Sequence, residues 1–217
     1  MKFFIDTANL DQIKEAQKLG VLDGVTTNPS LMAKEGITGK KNILNHYSRI
    51  CDIVDGDVSA EVISTDLKGI IEEGEVLAKL HPQIVVKVPM ITEGVKAIRY
   101  FSNKSIKTNC TLIFSVGQAL IAAKAGATYI SPFIGRLDDI STDGLNLISE
   151  IVTVFDNYGF STQILAASIR HTMHIIDCAK IGADVMTGPL SSIKGLINHP
   201  LTDIGLKKFL DDYKKGN

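Results

Sequence analysis

Short apolar runs alternate with longer amphipathic stretches along the whole chain, and this alternation constrains the fold more than any other feature. The short runs are rich in β-branched residues and predict strands near residues 2–6, 24–28, 58–62, 84–88, 107–114, 128–133, 163–168 and 184–187. The longer stretches predict helices, among them residues 9–19, 66–80, 93–103, 115–125, 143–158 and 171–181. Strands separated by helices are expected to pair in parallel, because parallel neighbours need a crossover connection.

Eight strand–helix units in 217 residues leave about 27 residues per unit, which is compact but sufficient for an α/β fold of the (β/α)8 TIM barrel type. We therefore predict a single domain over residues 1–217, with residues 201–217 forming an additional C-terminal helical tail. A doubly wound open sheet is the alternative. The sequence contains neither the GxGxxG fingerprint nor the GxxxxGK[ST] loop that would favour that alternative.

Charge and cysteine content exclude several classes of protein. The chain has 23 basic and 24 acidic residues, a net charge of −1, which predicts no nucleic-acid partner and no membrane surface. Three widely spaced cysteines form no CxxC pair and are expected to be small buried hydrophobes. The N-terminal segment turns acidic and polar after three apolar residues, unlike a secretory signal, so we expect a cytoplasmic protein.

Lys87 interrupts an otherwise apolar strand, 84–88, just before Pro89 ends it. Strand side chains alternate, so Lys87 shares a face with Val85 while Val86 and Val88 take the other. Burial disfavours the ammonium form, and the neutral amine is the form that attacks a carbonyl carbon. The lysine therefore has two interpretations, a Schiff-base nucleophile at the C-terminal end of a barrel strand or an edge-strand lysine that blocks aggregation.

Polar side chains also end most of the other predicted strands. They are Asp6, Asn28, Glu61, Asn109, Thr111 and Ser168, with Arg136 and Arg170 close behind strands six and seven. Each has a structural alternative, such as a helix cap for Asp6 and Asn28 or an ion pair for Glu61. Together they supply an amine, two carboxylates, amides, a hydroxyl and two guanidinium groups that suit phosphate. This set predicts an aldolase that forms an imine with sugar phosphates.

The sequence resembles the transaldolase family, in its short subfamily. The segments that carry the resemblance are DTA (6–8), TTNPS (26–30), VKVP (86–89), NCTLIF (109–114), SPFIGRLDD (131–139) and AASIR (166–170). They occur in the family's order over nearly the whole chain. The resemblance implies a (β/α)8 barrel, no metal or cofactor, and transfer of a dihydroxyacetone unit between sugar phosphates of the pentose phosphate pathway.

The resemblance also implies a role for each matched position. Lys87 corresponds to the Schiff-base lysine, Asp6 to the carboxylate that takes the C4 hydroxyl proton, and Glu61 to an acid/base that works through a water held by Thr111. The implied substrate-binding residues are Asn28, Asn109, Ser131, Phe133, Arg136, Ser168 and Arg170, with the last two and Arg136 clamping phosphate on strands six and seven.

The short subfamily includes fructose-6-phosphate aldolases, which resemble transaldolases closely. Those aldolases carry glutamine where this chain has Glu61 and tyrosine where it has Phe133, so both positions here favour transaldolase. A phenylalanine cannot protonate the three-carbon enamine, which would then wait for an acceptor aldehyde. A fructose-6-phosphate aldolase and a non-catalytic sugar-phosphate-binding barrel are the two alternatives.

Two further expectations concern ligands and assembly. His171 and His174 share a helix face, but the sequence offers no third metal ligand, and a role at the start of a helix is expected instead. The family resemblance implies a homo-oligomer, with a decamer among the expected forms and the C-terminal helix as a contact. Small-molecule sugar phosphates are the expected partners.

Overall fold

A computed structural model describes residues 1–216 of the chain, so the last residue of the predicted tail lies outside the described part. Its strands are β1 (Lys2–Asp6), β2 (Gly24–Thr26), β3 (Asp57–Glu61), β4 (Ile84–Pro89), β5 (Thr108–Ile113), β6 (Tyr129–Pro132), β7 (Gln163–Ala166) and β8 (Val185–Gly188). All eight pair in parallel in sequence order, and β8 closes the barrel against β1. The predicted (β/α)8 barrel is confirmed, and the open sheet is wrong.

Helices follow the strands and cover the barrel. They are α1 (Leu10–Lys18), α2 (Pro29–Lys34), α3 (Lys40–Cys51), α4 (Leu67–Ala78), α5 (Thr92–Asn103), α6 (Val116–Ala125), α7 (Ile134–Asp138), α8 (Gly144–Tyr158), α9 (Thr172–Ile181), α10 (Leu190–Gly195) and α11 (Pro200–Lys215). The last of these confirms the predicted C-terminal helix. No helix within residues 1–216 is both long and apolar enough to cross a bilayer.

Alternation along β4 shows how the sequence divides the core. Val86 and Val88 join the large apolar cluster between the barrel and its helices, as parallel strands covered on the outside require. Val85 points inward, where it packs with Phe4, Tyr129, Leu165 and Val185. This apolar layer fills the barrel interior below Lys87, so the barrel is packed rather than open from end to end.

Helix ends follow local chemistry. Asn9 caps α1, and its side-chain oxygen accepts from the backbone N–H groups of Asp11 and Gln12. The Gln12 side chain does not complete a capping box, because it accepts from the Thr7 hydroxyl at 2.8 Å. At the other end of a helix, Gly126 ends α6 with φ 94°, a left-handed conformation that glycine adopts without a Cβ clash.

Candidate active site

A cavity of about 510 Å³ opens at the C-terminal ends of the barrel strands. Each strand, or the segment directly after it, contributes to the lining. Of the eleven site residues named from the sequence, ten line it: Asp6, Asn28, Glu61, Lys87, Thr111, Ser131, Phe133, Arg136, Ser168 and Arg170. This is the end of a barrel at which active sites are built.

Lys87 lies inside the barrel, and its side chain is only 7% exposed. Its Nζ is 3.0 Å from Oε2 of Glu61, the residue opposite it on β3, and donates to the Thr27 backbone oxygen at 3.2 Å. Glu61 Oε2 is buried and has no other polar partner among the described residues. The edge-strand interpretation of Lys87 is wrong, because β4 lies between two strands and the amine is buried.

Asp6 stands at the end of a hydroxyl chain that the sequence did not predict. The Thr26 hydroxyl donates to Asp6 Oδ1 at 2.7 Å, and Thr187 Oγ1 lies 2.6 Å from Thr26 Oγ1. Since Thr26 has one proton and gives it to the carboxylate, Thr187 donates to Thr26. Asp6 is therefore oriented by its neighbours and is not a helix cap. Thr26 lies opposite Asp6 on β2, and Thr187 lies opposite Phe4 on β8. The sequence alone does not show these positions, because they depend on the register of the strands.

Asn109 is the one predicted site residue outside the cavity lining. It is fully buried beside Lys87 in the β4–β5 register. Its amide nitrogen donates to Ser59 Oγ at 3.1 Å, and its oxygen accepts from the Ser131 hydroxyl at 2.8 Å. Asn109 therefore ties three strands together under the cavity floor and fixes Ser131, which does line the cavity.

A bulge in β5 places two consecutive residues on the cavity. The β5–β6 register shifts between Cys110 and Ile113, and Leu112 has φ 63°, which is rare for a residue other than glycine. As a result Thr111 and Leu112 both line the cavity, although simple alternation would turn one of them outward. No glycine marks the bulge in the sequence, so Leu112 was missed.

Asn28 combines the two interpretations that the sequence left open. Its side-chain oxygen accepts from the Leu31 backbone N–H at 3.0 Å and caps α2, and the residue also lines the cavity. The cap uses the oxygen and leaves the amide nitrogen without a partner among the described residues, so it is available as a donor. From the same helix, the exposed Lys34 reaches the lining, a residue that the sequence analysis did not select.

Two segments, which we call arms, carry the predicted phosphate-binding residues, and both lie beyond the strands rather than on them. The α7 arm is α7 with Asp139, and the second arm is the segment 167–170 that follows β7. Arg136 is in α7, with its guanidinium carbon 4.8 Å from the centre of the Phe133 ring. Ser168 and Arg170 follow β7, which ends at Ala166 instead of 168, and Ser168 takes φ 60°. Arg170 Nη2 is 2.6 Å from Asp139 Oδ2 of the α7 arm.

The two arms approach so closely that only glycine fits between them. A Cβ on Gly135 would lie 2.5 Å from Arg170 Nε and from the Ser168 backbone oxygen. The Gly135 backbone N–H donates to that same oxygen at 3.0 Å. The G of the SPFIGRLDD segment therefore allows α7 to pack directly on the segment that carries Arg170.

Charge around the cavity differs from the average over the chain. The lining contains four basic side chains, Lys34, Lys87, Arg136 and Arg170, and two carboxylates, Asp6 and Glu61. The excess of cations favours an anionic ligand. Within residues 1–216, no group of three or more histidine, cysteine, aspartate or glutamate side chains is placed to hold a metal ion.

Comparisons with known proteins show the family and the fold. The sequence model of the Transaldolase/Fructose-6-phosphate aldolase family matches residues 3–215. A protein of Flavobacterium psychrophilum named probable transaldolase is 76% identical over the full length of both chains. One of the same name from Cytophaga hutchinsonii is 72% identical, again over both full lengths. Among solved structures, the thiamine phosphate pyrophosphorylase from Pyrococcus furiosus aligns with a TM-score of 0.59 at 14% identity, covering 86% of this chain and 84% of that one, which is a likeness of fold.

Proposed function

The chain belongs to the transaldolase/fructose-6-phosphate aldolase family, and we propose that it is a transaldolase acting through a Schiff base on Lys87. In this proposal the enzyme moves a dihydroxyacetone unit from sedoheptulose 7-phosphate to glyceraldehyde 3-phosphate, giving erythrose 4-phosphate and fructose 6-phosphate. The observation that carries it is the buried Lys87 amine, 3.0 Å from the Glu61 carboxylate, in a cavity that also presents Asp6.

Imine formation begins when the Lys87 amine attacks C2 of the ketose phosphate. An ammonium must first lose a proton, and Glu61 is the nearest group that can accept it. The attack gives a carbinolamine, and Glu61 returns the proton to the C2 oxygen so that water leaves. In this proposal Thr111, which is buried on the neighbouring strand and lines the cavity, orients that water.

Carbon–carbon cleavage follows from the imine. The C3–C4 electron pair moves toward the imine nitrogen, which leaves an enamine on Lys87, while Asp6 accepts the C4 hydroxyl proton and the aldose phosphate departs. The hydroxyl chain from Thr187 through Thr26 holds the Asp6 carboxylate in place for that transfer. A second aldose phosphate then enters, C3 of the enamine attacks its aldehyde carbon, Asp6 returns the proton, and hydrolysis frees the new ketose.

The phosphate group is assigned to the arms that carry Arg136, Ser168 and Arg170. Guanidinium groups match the oxygens of a phosphate ester in geometry and charge. Because the phosphate is remote from the reacting bonds, its binding energy can be used to position C2 against Lys87. The site lies after strands six and seven, one unit earlier than the position that is commonest in barrels.

A fructose-6-phosphate aldolase is the second candidate, and two residues separate it from transaldolase. Phe133 lines the cavity and packs against Phe114, with ring centroids 5.6 Å apart, so position 133 offers no hydroxyl to protonate the enamine. Glu61 is a carboxylate rather than an amide. Both support retention of the three-carbon unit until an acceptor arrives.

A coupled assay with fructose 6-phosphate tests the proposal. We expect glyceraldehyde 3-phosphate release to continue only when erythrose 4-phosphate is supplied. Sustained release of free dihydroxyacetone without acceptor would assign the aldolase. Binding of the sugar phosphates without turnover in either assay would assign a non-catalytic binding barrel.

We also propose that the protein is a cytoplasmic homo-oligomer, with a decamer among the forms to be tested. Helix α11 supports association because it exposes large apolar side chains, namely Leu201, Ile204, Leu206, Phe209, Leu210 and Tyr213. Sedimentation of the full-length chain tests this, and a monomer at micromolar concentration would contradict it.

A further inference from the structure

His174 joins the two arms of the phosphate subsite through both of its ring nitrogens. The Arg170 backbone N–H donates to Nδ1 at 3.3 Å, and Nε2 lies 3.2 Å from Asp138 Oδ2 on α7. The imidazole side chain is 7% exposed, so water competes little for either contact. Asp138 is itself fixed, because its other oxygen accepts from the Gly144 backbone N–H at 3.0 Å.

These contacts fix the protonation of the ring. A nitrogen that accepts from a backbone N–H carries no proton, so Nδ1 is bare and the single proton is on Nε2, which donates it to Asp138. His174 can therefore make both contacts only as the neutral tautomer. A proton added at Nδ1 would remove the acceptor of the Arg170 N–H.

The segment held in this way needs support. It leaves β7 through Ser168, whose φ of 60° costs energy unless its surroundings impose it. Arg170 is half-exposed, and within residues 1–216 its guanidinium pairs with Asp139, which follows Asp138 at the end of α7. The His174 ring thus adds a buried side-chain connection to the backbone hydrogen bond between Gly135 and Ser168. The contact between Arg170 and Asp139 is the solvated connection.

We infer that His174 is a positioning residue for the phosphate subsite, and that it holds the Arg170 segment against the Arg136 arm while its ring is neutral. The inference rests on the proposed function only for the identity of the ligand, a phosphate monoester. Its geometric part concerns the affinity of the two arms for a phosphate group.

Four charged or titratable groups act on the ring, namely His171, Asp138, Asp177 and Arg170. Burial lowers the pKa of His174 most strongly, and His171 and Arg170 lower it further, while Asp138 and Asp177 raise it. The net direction is below the ordinary value of 6.5. The ring is therefore neutral at pH 7 and binds its second proton only in more acidic solution.

Substitutions can separate the two ring nitrogens. Asparagine places its side-chain oxygen near the position of Nδ1, so His174→Asn keeps an acceptor for the Arg170 N–H and cannot titrate. His174→Ala removes both contacts. His199 supplies a matched control, because its Nδ1 accepts a backbone N–H from Leu201 at 3.2 Å in the same way, at the start of α11 and outside the cavity.

The first experiment measures the dissociation constant of inorganic phosphate by calorimetry at pH 7.5, together with KM and kcat for fructose 6-phosphate. We expect His174→Ala to raise the dissociation constant and KM about tenfold, the effect of losing one hydrogen bond that orients a charged group. His174→Asn should restore both to within about threefold, and His199→Ala should leave both unchanged. Unchanged phosphate affinity in folded His174→Ala, with the midpoint of thermal unfolding as the check, would overturn the inference.

The second experiment repeats the phosphate titration from pH 5 to 8. The ionisation of phosphate affects the dissociation constants of the wild type and of His174→Asn equally. The ratio of the wild-type constant to the variant constant therefore reports the protonation of the His174 ring alone. That ratio should rise as the pH falls below about 6.5, because only the wild type gains a proton at Nδ1. A constant ratio would contradict the role assigned to the neutral tautomer. If the wild type shows no transfer activity, the proposed function is wrong. The phosphate titration would still test the role of His174, because it needs no turnover.

Discussion

Strand β3 begins and ends with a carboxylate that pairs with a lysine, and the two pairs have opposite surroundings. At the upper end, Glu61 meets Lys87 at 3.0 Å, and the lysine side chain is 7% exposed. At the lower end, Asp57 meets Lys107 at 2.8 Å, and that lysine is 48% exposed. Charge and spacing are nearly the same in both. Burial, third partners and the space above each pair differ.

The lower pair lies at the end of the barrel that is away from the cavity. Tyr129 donates its hydroxyl to the second oxygen of Asp57 at 2.7 Å, so both carboxylate oxygens have a partner. The apolar layer of Phe4, Val85 and Leu165 separates this end from the cavity. The upper pair instead faces about 510 Å³ of open cavity, and within residues 1–216 Lys87 is the one polar partner of Glu61 Oε2. A lysine–carboxylate pair thus becomes a candidate reaction centre where it is buried and has room for a substrate.

The largest expected difference is between two variants in which one lysine, Lys87 or Lys107, is replaced by methionine, a neutral side chain of similar length. Lys87→Met should lower kcat/KM for transfer at least about 10³-fold, because the other amine in the described lining, Lys34, is exposed on α2 and is not paired with Glu61. Lys107→Met should leave kcat/KM within about twofold, since a half-exposed surface pair contributes little. Equal losses in the two variants would break the comparison.

Substitution of the two carboxylates should also affect catalysis at the upper end and not at the lower end, but the loss of activity should be smaller. Glu61→Gln is expected to lower kcat about 10²-fold, the usual contribution of one acid/base group, with the folded state retained. Asp57→Asn should spare kcat and instead lower the free energy of unfolding by about 1–3 kcal/mol, because it weakens the contacts of Tyr129 and Lys107. Steady-state kinetics and denaturant unfolding of both variants measure the two effects.

The cationic arms should act on substrate binding. Arg170→Ala is expected to raise KM for phosphorylated ketoses about tenfold or more, since a charge-assisted hydrogen bond to phosphate is lost. Lys107→Ala at the lower end is the charge-matched control and should leave KM unchanged. A rise in KM of the same size for a ketose without phosphate would show that Arg170 does not bind the phosphate.

The smallest expected effect is on the free energy of unfolding at alkaline pH, and it concerns Tyr129 at the lower end of the barrel. Burial, followed by the contact with Asp57, raises the pKa of Tyr129 above its ordinary value of 10.0. A raised pKa contributes stability that is present below pH 10 and is lost at higher pH, where the unfolded tyrosine ionises first. The stability advantage of wild type over Tyr129→Phe, about 1–2 kcal/mol at pH 7, should therefore shrink above pH 10 in urea titrations. An advantage independent of pH would contradict this.

Alternation in the sequence predicted the barrel and placed Lys87 on the same face as Val85, but it left open whether that face is buried. This placement could be made because β4 is regular over its six residues, with Val85 and Lys87 inside and Val86 and Val88 outside. The tail helix was equally predictable from its amphipathic pattern, and it is present as α11.

Irregular backbone accounts for what the sequence did not predict. Leu112 and Ser168 both adopt positive φ without being glycine, because surrounding packing imposes those conformations, and no local pattern signals them. Helix α7, five residues long, is too short to show a helical period, so the helix that carries Arg136 was not predicted. Thr26 and Thr187 were missed because their contact joins residues 161 positions apart.

Reduction with borohydride in the presence of fructose 6-phosphate, followed by peptide mass mapping, tests the central claim most directly. If the upper pair is the reaction centre, the reduced three-carbon adduct is found on Lys87, while Lys107 stays unmodified. No adduct in an actively transferring enzyme, or an adduct on a lysine other than Lys87, would contradict the account.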